Sequence, residues 1–259
     1  MRVSVATCVS TAVDLLDSCV KSLTENAGTD DFDLAVVTWN ASDAVLQWLS
    51  DRPWVHHDIY ETNHAVGYVP NVRGLINKTF DAGFKLNDFT VRTDADVLYG
   101  KNWLAELVRW ADGNLIVNPQ HITPIRGPHV ITADLGKIGP DFDHAGFSRM
   151  VEEHRRPGML MTEEDRGGWL NTATMPYVMH RKWWDVCGPW ELTGIGKGVE
   201  PPDRRFFTRC HDAGARFVMA MGSVVYHEEG AERKRKQRPD GTSEMPEEGT
   251  LDHNQRRKR

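Results

Sequence analysis

Within its first hundred residues the chain alternates short, β-branched apolar runs with amphipathic stretches of helical period. That alternation predicts an α/β protein with a mostly parallel central sheet flanked by helices. Val3 to Val9 reads as the first strand. Val13, Leu16, Val20 and Leu23 follow on one helical face, with Thr11 or Asp14 as the N-cap and an end near Asn26-Ala27-Gly28. Phe32 to Trp39 is a second strand, apolar enough for a buried position. Asn40-Ala41-Ser42-Asp43 then turns the chain and caps a short helix through Leu49. Val55 to Tyr60 is a third strand, and Pro70 to Ala82 a helix with Val72, Leu75, Ile76 and Phe80 on one side. Asp88 to Thr93 is the fourth strand.

That fourth strand delivers Asp94 and Asp96 at its carboxyl end, where ligands bind in open α/β sheets. Residues i and i+2 of an extended strand point to the same side, so the two carboxylates converge there or are re-aimed where the strand turns. Crowded carboxylates repel unless a cation lies between them or one keeps its proton. Oxygen ligands of this kind suit Mg2+ or Mn2+, completed by substrate phosphates.

Size and composition exclude several classes. The 259 residues can bury a substantial core, and 40% hydrophobic with 26% charged residues is an ordinary globular balance. No apolar run approaches the ~20 residues that cross a bilayer, and the N-terminus lacks the features of a signal peptide. Four cysteines without a Cys-x-x-Cys pair predict neither a zinc site nor a disulfide framework, and suit a reducing cytoplasm. A net charge of −6 argues against wholesale nucleic-acid binding.

After a helix from Asn102 to Ala111 and a strand from Leu115 to Asn118, residues 119 to 171 are rich in Pro, Gly, His and charge. They read as a loop-dominated substrate region. Thr174 to Met179 is a strand, Lys182 to Val186 a short helix, Asp203 to Ala213 a helix, and Arg216 to His227 two strands or a bent one. Three glycines, Gly194, Gly196 and Gly198, predict a loop at residues 192 to 200 that donor binding orders. From Glu228 the chain is nearly bare of apolar residues and reads as a disordered tail. Its basic groups, Arg233 to Arg238 and Arg256 to Arg259, suit an anionic acceptor, a membrane surface or plain solvation beside Glu244, Glu247 and Glu248.

The order of motifs resembles the nucleotide-sugar-dependent glycosyltransferases of the GT-A fold, nearest the inverting family 2 type, over residues 2 to 228. Val36-Val37-Thr38-Trp39-Asn40-Ala41-Ser42-Asp43 stands where that family has two valines, an acidic residue and a turn ending in Asp. Asn63, Gly67, Asn71 and Gly74 resemble its helix entry, and Asp94-Ala95-Asp96 its Asp-x-Asp signature. Met179 to Gly188 resembles the acceptor-side helix; Asp203, Arg209 and Gly214 match a later helix, and Val225-Tyr226-His227 the terminal histidine.

The resemblance implies a GT-A fold, a Rossmann-like nucleotide-diphospho-sugar transferase fold, in one domain (1–228). Residues 1–118 would be the nucleotide-sugar half and 119–228 the acceptor and catalytic half, with a polar tail at 229–259. It implies a metal-dependent inverting transfer, with Asp96, His227 and Asp94 holding Mn2+ or Mg2+. Thr7, Thr38, Asn71, Arg92, Asp94 and Ala95 would line the donor site, and Trp190 and Trp183, of nine tryptophans, the acceptor side. The general base is Asp203 or Glu200, because the family's acidic pair appears here as Pro202-Asp203 with Glu200 upstream. Asp203 after two prolines also suits a helix N-cap. Thr38 replaces the acidic residue that often reads the base, and a UDP-sugar is the commonest donor of such enzymes. The acceptor stays open between protein, glycan, lipid-linked sugar and nucleic-acid base, and so does the oligomeric state. Two other classes compete. A nucleotidyltransferase would carry an early glycine-rich phosphate loop, which Val9-Ser10-Thr11-Ala12 is not; a non-catalytic binding module would have little use for both aspartates and His227.

Overall fold

The computed structural model describes residues 1–62, 68–125, 130–169, 175–192 and 202–228. In chain order its elements are β1 (Val3–Val9), α1 (Val13–Glu25), β2 (Phe32–Thr38), α2 (Asp43–Ser50), β3 (His56–Ile59), α3 (Tyr68–Leu86), β4 (Phe89–Arg92), β5 (Val97–Tyr99) and α4 (Trp103–Val108). Then come β6 (Leu115–Thr123), β7 (Ile131–Thr132), α5 (His144–His154), β8 (Leu160–Met161), β9 (Tyr177–His180), α6 (Arg181–Cys187), α7 (Pro202–Asp212) and β10 (Arg216–His227).

One mostly parallel sheet takes the strands in the order β3-β2-β1-β4-β9-β6-β10-β5, with β7 on β6 and β8 on β10. β3, β2, β1 and β4 are parallel, so their carboxyl ends share one edge. β9 enters antiparallel between β4 and β6, and β10 runs parallel to β6. Two apolar clusters hold the layers together. Leu16, Val20 and Leu23 of α1 pack with Trp103 and Leu107 of α4 against Val5, Val36, Val91 and Val225. Phe80 of α3 meets Tyr177 of β9 and Phe206 and Phe207 of α7 in the other. Burial of these side chains, at about 1.5–3 kcal/mol each, is the dominant favourable term.

Most expected elements are present, with shifted ends. Ser42 caps α2 by accepting from the Val45 N–H at 3.4 Å. The cap expected for α1 is absent: Ala12 holds the N-cap position, and neither Thr11 nor Asp14 fills it. Asp14 lies inside the first turn, where its charge suits the positive end of the helix dipole. The described residues between 119 and 169 hold more regular structure than their composition suggests. β6 continues through Pro119 to Thr123, and α5 forms with Asp143 as its cap. Arg216 to His227 is one strand, bent by a register shift between Ala220 and Val224. Asn63, Gly67, Gly194, Gly196, Gly198, Glu200 and the tail lie outside the described residues. Among the described residues, no helix is long and apolar enough to cross a membrane.

Helix α3 packs tightly on the sheet at Gly83. Ser4 Oγ donates to the Gly83 carbonyl at 2.8 Å, and a Cβ there would stand 2.4 Å from Thr90 Cγ2 and 3.2 Å from Ala6 Cβ. Alanine is the better helix former by about 1 kcal/mol, but overpacking a tight contact costs about 1–3 kcal/mol. Gly83→Ala is therefore expected to lower the melting temperature despite its helix propensity; an unchanged or raised value would show that the contact yields.

Candidate metal and donor site

Asp94 and Asp96 lie beyond the last residue of β4, in the turn that leads into β5. It is this turn, rather than strand alternation, that aims the carboxylates. Its main chain is pinned from several sides. Thr93 N–H donates to Ala6 O of β1 at 3.0 Å, and Cys19 Sγ donates to Asp94 O at 3.6 Å. Beneath it, the hydroxyls of Thr93 and Tyr99 are 2.6 Å apart. On the far side Glu228 N–H donates to Asp96 O at 3.1 Å, while its carboxylate accepts from Ile138 N–H at 2.7 Å.

β5 pairs antiparallel with β10, placing His227 opposite Val97 and thus beside Asp96. His227 Nε2 lies 3.4 Å from Asp96 Oδ1. Ligand atoms of Asp94, Asp96 and His227 all fall within 4.8 Å of one another, and Asp96 is buried. Two hard carboxylate oxygens and an imidazole nitrogen form a donor set that fits Mn2+ or Mg2+, with the remaining positions left to water or phosphate.

The buried Arg92 guanidinium lies 2.6 Å from Asp94 Oδ1 and also donates to Met175 Sδ and, at 3.9 Å, to Cys8 Sγ. Arg92 thus balances one of the two carboxylates from beneath. Ala95, between them, is buried. Thr7 is fully buried, and its hydroxyl has no hydrogen-bond partner among the described residues.

At the same sheet edge a 440 Å³ cleft opens beside the ends of β2 and β3, lined by Thr38, Asn40, Leu46, Ile59 and Tyr60. The Thr38 hydroxyl shares a 2.9 Å hydrogen bond with His57 Nε2. Desolvation pushes the His57 pKa down and favours its neutral form. Tyr60 donates to Asn71 Oδ1 at 3.1 Å, joining the cleft wall to α3. Trp39 donates from Nε1 to Thr62 Oγ1 at 2.7 Å.

Asp203 is exposed in the first turn of α7, which begins at Pro202, so it stands inside the helix rather than at the cap position. Its Oδ1 accepts from Arg204 N–H at 2.8 Å. The chain leading towards residues 193–201 is moored on α3. Asn77 bonds both the N–H and the carbonyl of Trp190, at 2.8 and 2.9 Å, and Arg73 donates to Glu191 O at 2.9 Å. The indoles of Trp183 and Trp190 lie in the apolar cluster under α3 and α7, 5% and 4% exposed, with little ring face open to a ligand.

The site also holds residues that the motifs did not point to. His121 of β6 is buried, its ring 6.3 Å from that of His227. Burial together with His227 and Arg166 pushes its pKa down to about 3, keeping it neutral. His121 sits in a stretch without a family signature and strand pairing brings it to the site, whereas Glu228 directly follows the terminal histidine.

Among solved structures the chain is similar to GT-A-type glycosyltransferases. It matches S. aureus TarS with a TM-score of 0.56 and 12% identity, over 92% of this chain and 38% of TarS. GalNAc-T7, solved with UDP, GalNAc and Mn2+, matches with a TM-score of 0.52 and 14% identity, over 88% of this chain and 45% of that one. The mannosyltransferase PcManGT from Pyrobaculum calidifontis, in complex with GDP-Man and Mn2+, matches with a TM-score of 0.51 and 16% identity, over 87% and 56%. This chain therefore spans between 38% and 56% of the length of these proteins. No family model and no curated protein matches it by sequence. What is shared is the fold, and that fold is GT-A.

Proposed function

We propose that the protein is a metal-dependent glycosyltransferase that moves one sugar from a nucleoside-diphosphate donor, a UDP-sugar first among the candidates, with inversion at the anomeric carbon. The observation that carries this reading is the convergence of Asp94, Asp96 and His227 at the carboxyl edge of a GT-A sheet. Those three residues would hold the ion. A bound divalent cation stabilises the negative charge that gathers on a departing nucleoside diphosphate. Arg92 holds Asp94 in place through their 2.6 Å ion pair. The cleft beside Thr38 and Tyr60 has room for a nucleotide base, and Asn71 supports its wall. Thr7 of β1 and Ala95, both buried, complete the donor side in this reading.

Transfer by a single displacement requires a base on the face opposite the leaving diphosphate. Asp203 takes that role in this reading, with Glu200 as its substitute. Trp183 and Trp190 act by fixing the acceptor-side framework rather than by stacking on sugar. We assign residues 1–118 to donor binding and 119–228 to acceptor binding and catalysis, with 229–259 as an appended tail. The four free thiols support a reducing compartment such as the cytoplasm.

Metal-dependent release of nucleoside diphosphate from UDP-glucose, UDP-N-acetylglucosamine or GDP-mannose tests the reading. Turnover with Mn2+ and none in excess chelator is expected; equal rates under both conditions would overturn it.

A further inference from the structure

Tyr177 opens β9 directly opposite Arg92 of β4 and is 1% exposed. Phe80 packs against its ring at 6.0 Å, and Phe207 of α7 meets it edge-on at 5.0 Å. The ring is therefore fixed. Its hydroxyl is not accounted for: the oxygen is wholly buried and has no hydrogen-bond partner among the described residues. A buried hydroxyl without a partner is unfavourable, and phenylalanine would fill the same space without that penalty. The indole nitrogens of Trp183 and Trp190 in the same cluster are likewise without a partner among the described residues, but Tyr177 alone of the three stands opposite Arg92, where a partner from outside can reach it.

Its surroundings indicate which one. Arg92, paired with Asp94, stands opposite it on β4, and on its other side lies α7, whose Phe207 touches the ring and whose first turn carries Asp203. Burial raises the pKa of the phenol well above the ordinary value of 10, so it remains a neutral donor. The hydroxyl lies in the seam between the candidate metal site and the carboxylate at the head of α7. In the reaction proposed above, on which this inference rests, the diphosphate lies at the first and the acceptor at the second. Only the sugar being transferred lies between them.

We propose that Tyr177 is a donor-binding residue whose hydroxyl donates a hydrogen bond to an oxygen of the transferred sugar, seated in the seam between the Arg92–Asp94 pair and the head of α7. A neutral phenol suits a sugar hydroxyl better than a phosphate, whose charge is matched by the ion. Met175, packed against Arg92, has the unbranched, adaptable side chain that can re-pack to admit the ligand.

The test uses the full chain and its Tyr177→Phe variant, with calorimetric titration in Mn2+. The probes are UDP and GDP, then UDP-glucose, UDP-N-acetylglucosamine and GDP-mannose. Both proteins should bind the free diphosphates equally, while the variant binds the preferred intact nucleotide sugar about 3- to 10-fold more weakly, the worth of one neutral hydrogen bond. The melting temperature of the variant should be unchanged or higher. Equal affinity of both proteins for the intact donor overturns the assignment, as does an equal loss of free diphosphate and intact donor. A wild-type protein that binds none of the nucleotides with Mn2+ overturns the proposed function, and this assignment with it.

Discussion

Asp96→Asn is expected to remove manganese-dependent stabilisation and turnover together. The substitution keeps the shape of a buried side chain and deletes the charge that, with Asp94 and His227, makes the cluster a cation site. Saturating the wild-type protein with Mn2+ at about 100 times its dissociation constant adds about 2.7 kcal/mol of stability. At about 2–4 °C per kcal/mol for a domain of this size, that is a rise of roughly 5–10 °C in melting temperature. The variant should show little of that rise. Lewis-acid stabilisation of a leaving diphosphate is worth several kcal/mol, so turnover should fall by about 10³-fold or more.

The sign in chelator separates a metal site from a structural role. Without an ion the two carboxylates repel; Arg92 pairs with Asp94, and the imidazole 3.4 Å from Asp96 can face an asparagine in the same place. Asp96→Asn should then melt no lower than wild type in chelator while melting lower in Mn2+. A variant that loses the same stability under both conditions would mean that Asp96 supports the turn through its neighbours and holds no ion.

The order of strands and helices was legible because buried parallel strands need continuous apolar runs, and their helices need one apolar face. Val3–Val9 and Phe32–Thr38 show the first rule, and Leu16, Val20 and Leu23 the second. Helix α5 was illegible for the opposite reason. His144–His154 buries little beyond Gly146, Phe147 and Val151, and its stability comes from contacts such as Phe147 with Tyr226 on a distant strand. The metal cluster was legible through adjacency at one end and motif order at the other. The placement of Tyr177 and His121 was not, since a strand residue acquires its surroundings only from what pairing puts beside it. The tryptophans show the limit of residue type as a guide. Trp183 and Trp190 looked like sugar contacts by kind, yet the cluster under α7 needed their bulk.

Asp203→Asn is expected to separate catalysis from binding more cleanly than any other substitution. A carboxylate acting as general base works only in the transition state, so its loss should leave donor affinity intact and lower single-turnover rate by about 10²- to 10⁴-fold. Stability should hardly change. Asp203 is exposed within the first turn of α7, where its Oδ1 accepts from Arg204 N–H, and asparagine offers an oxygen in the same place. The favourable charge at the helix N-terminus is lost at a cost of only about 0.3–1 kcal/mol. Glu200→Gln, measured alongside, gives the opposing outcome. If Asp203→Asn turns over at the wild-type rate while Glu200→Gln is slow with unchanged melting temperature and donor affinity, the proton goes to Glu200. In that case the part played by Asp203 is confined to the helix dipole. If Asp203→Asn alone is slow, the proton goes to Asp203, in the first turn of a helix that Arg209 moors near its other end to the Cys187 carbonyl at 2.9 Å.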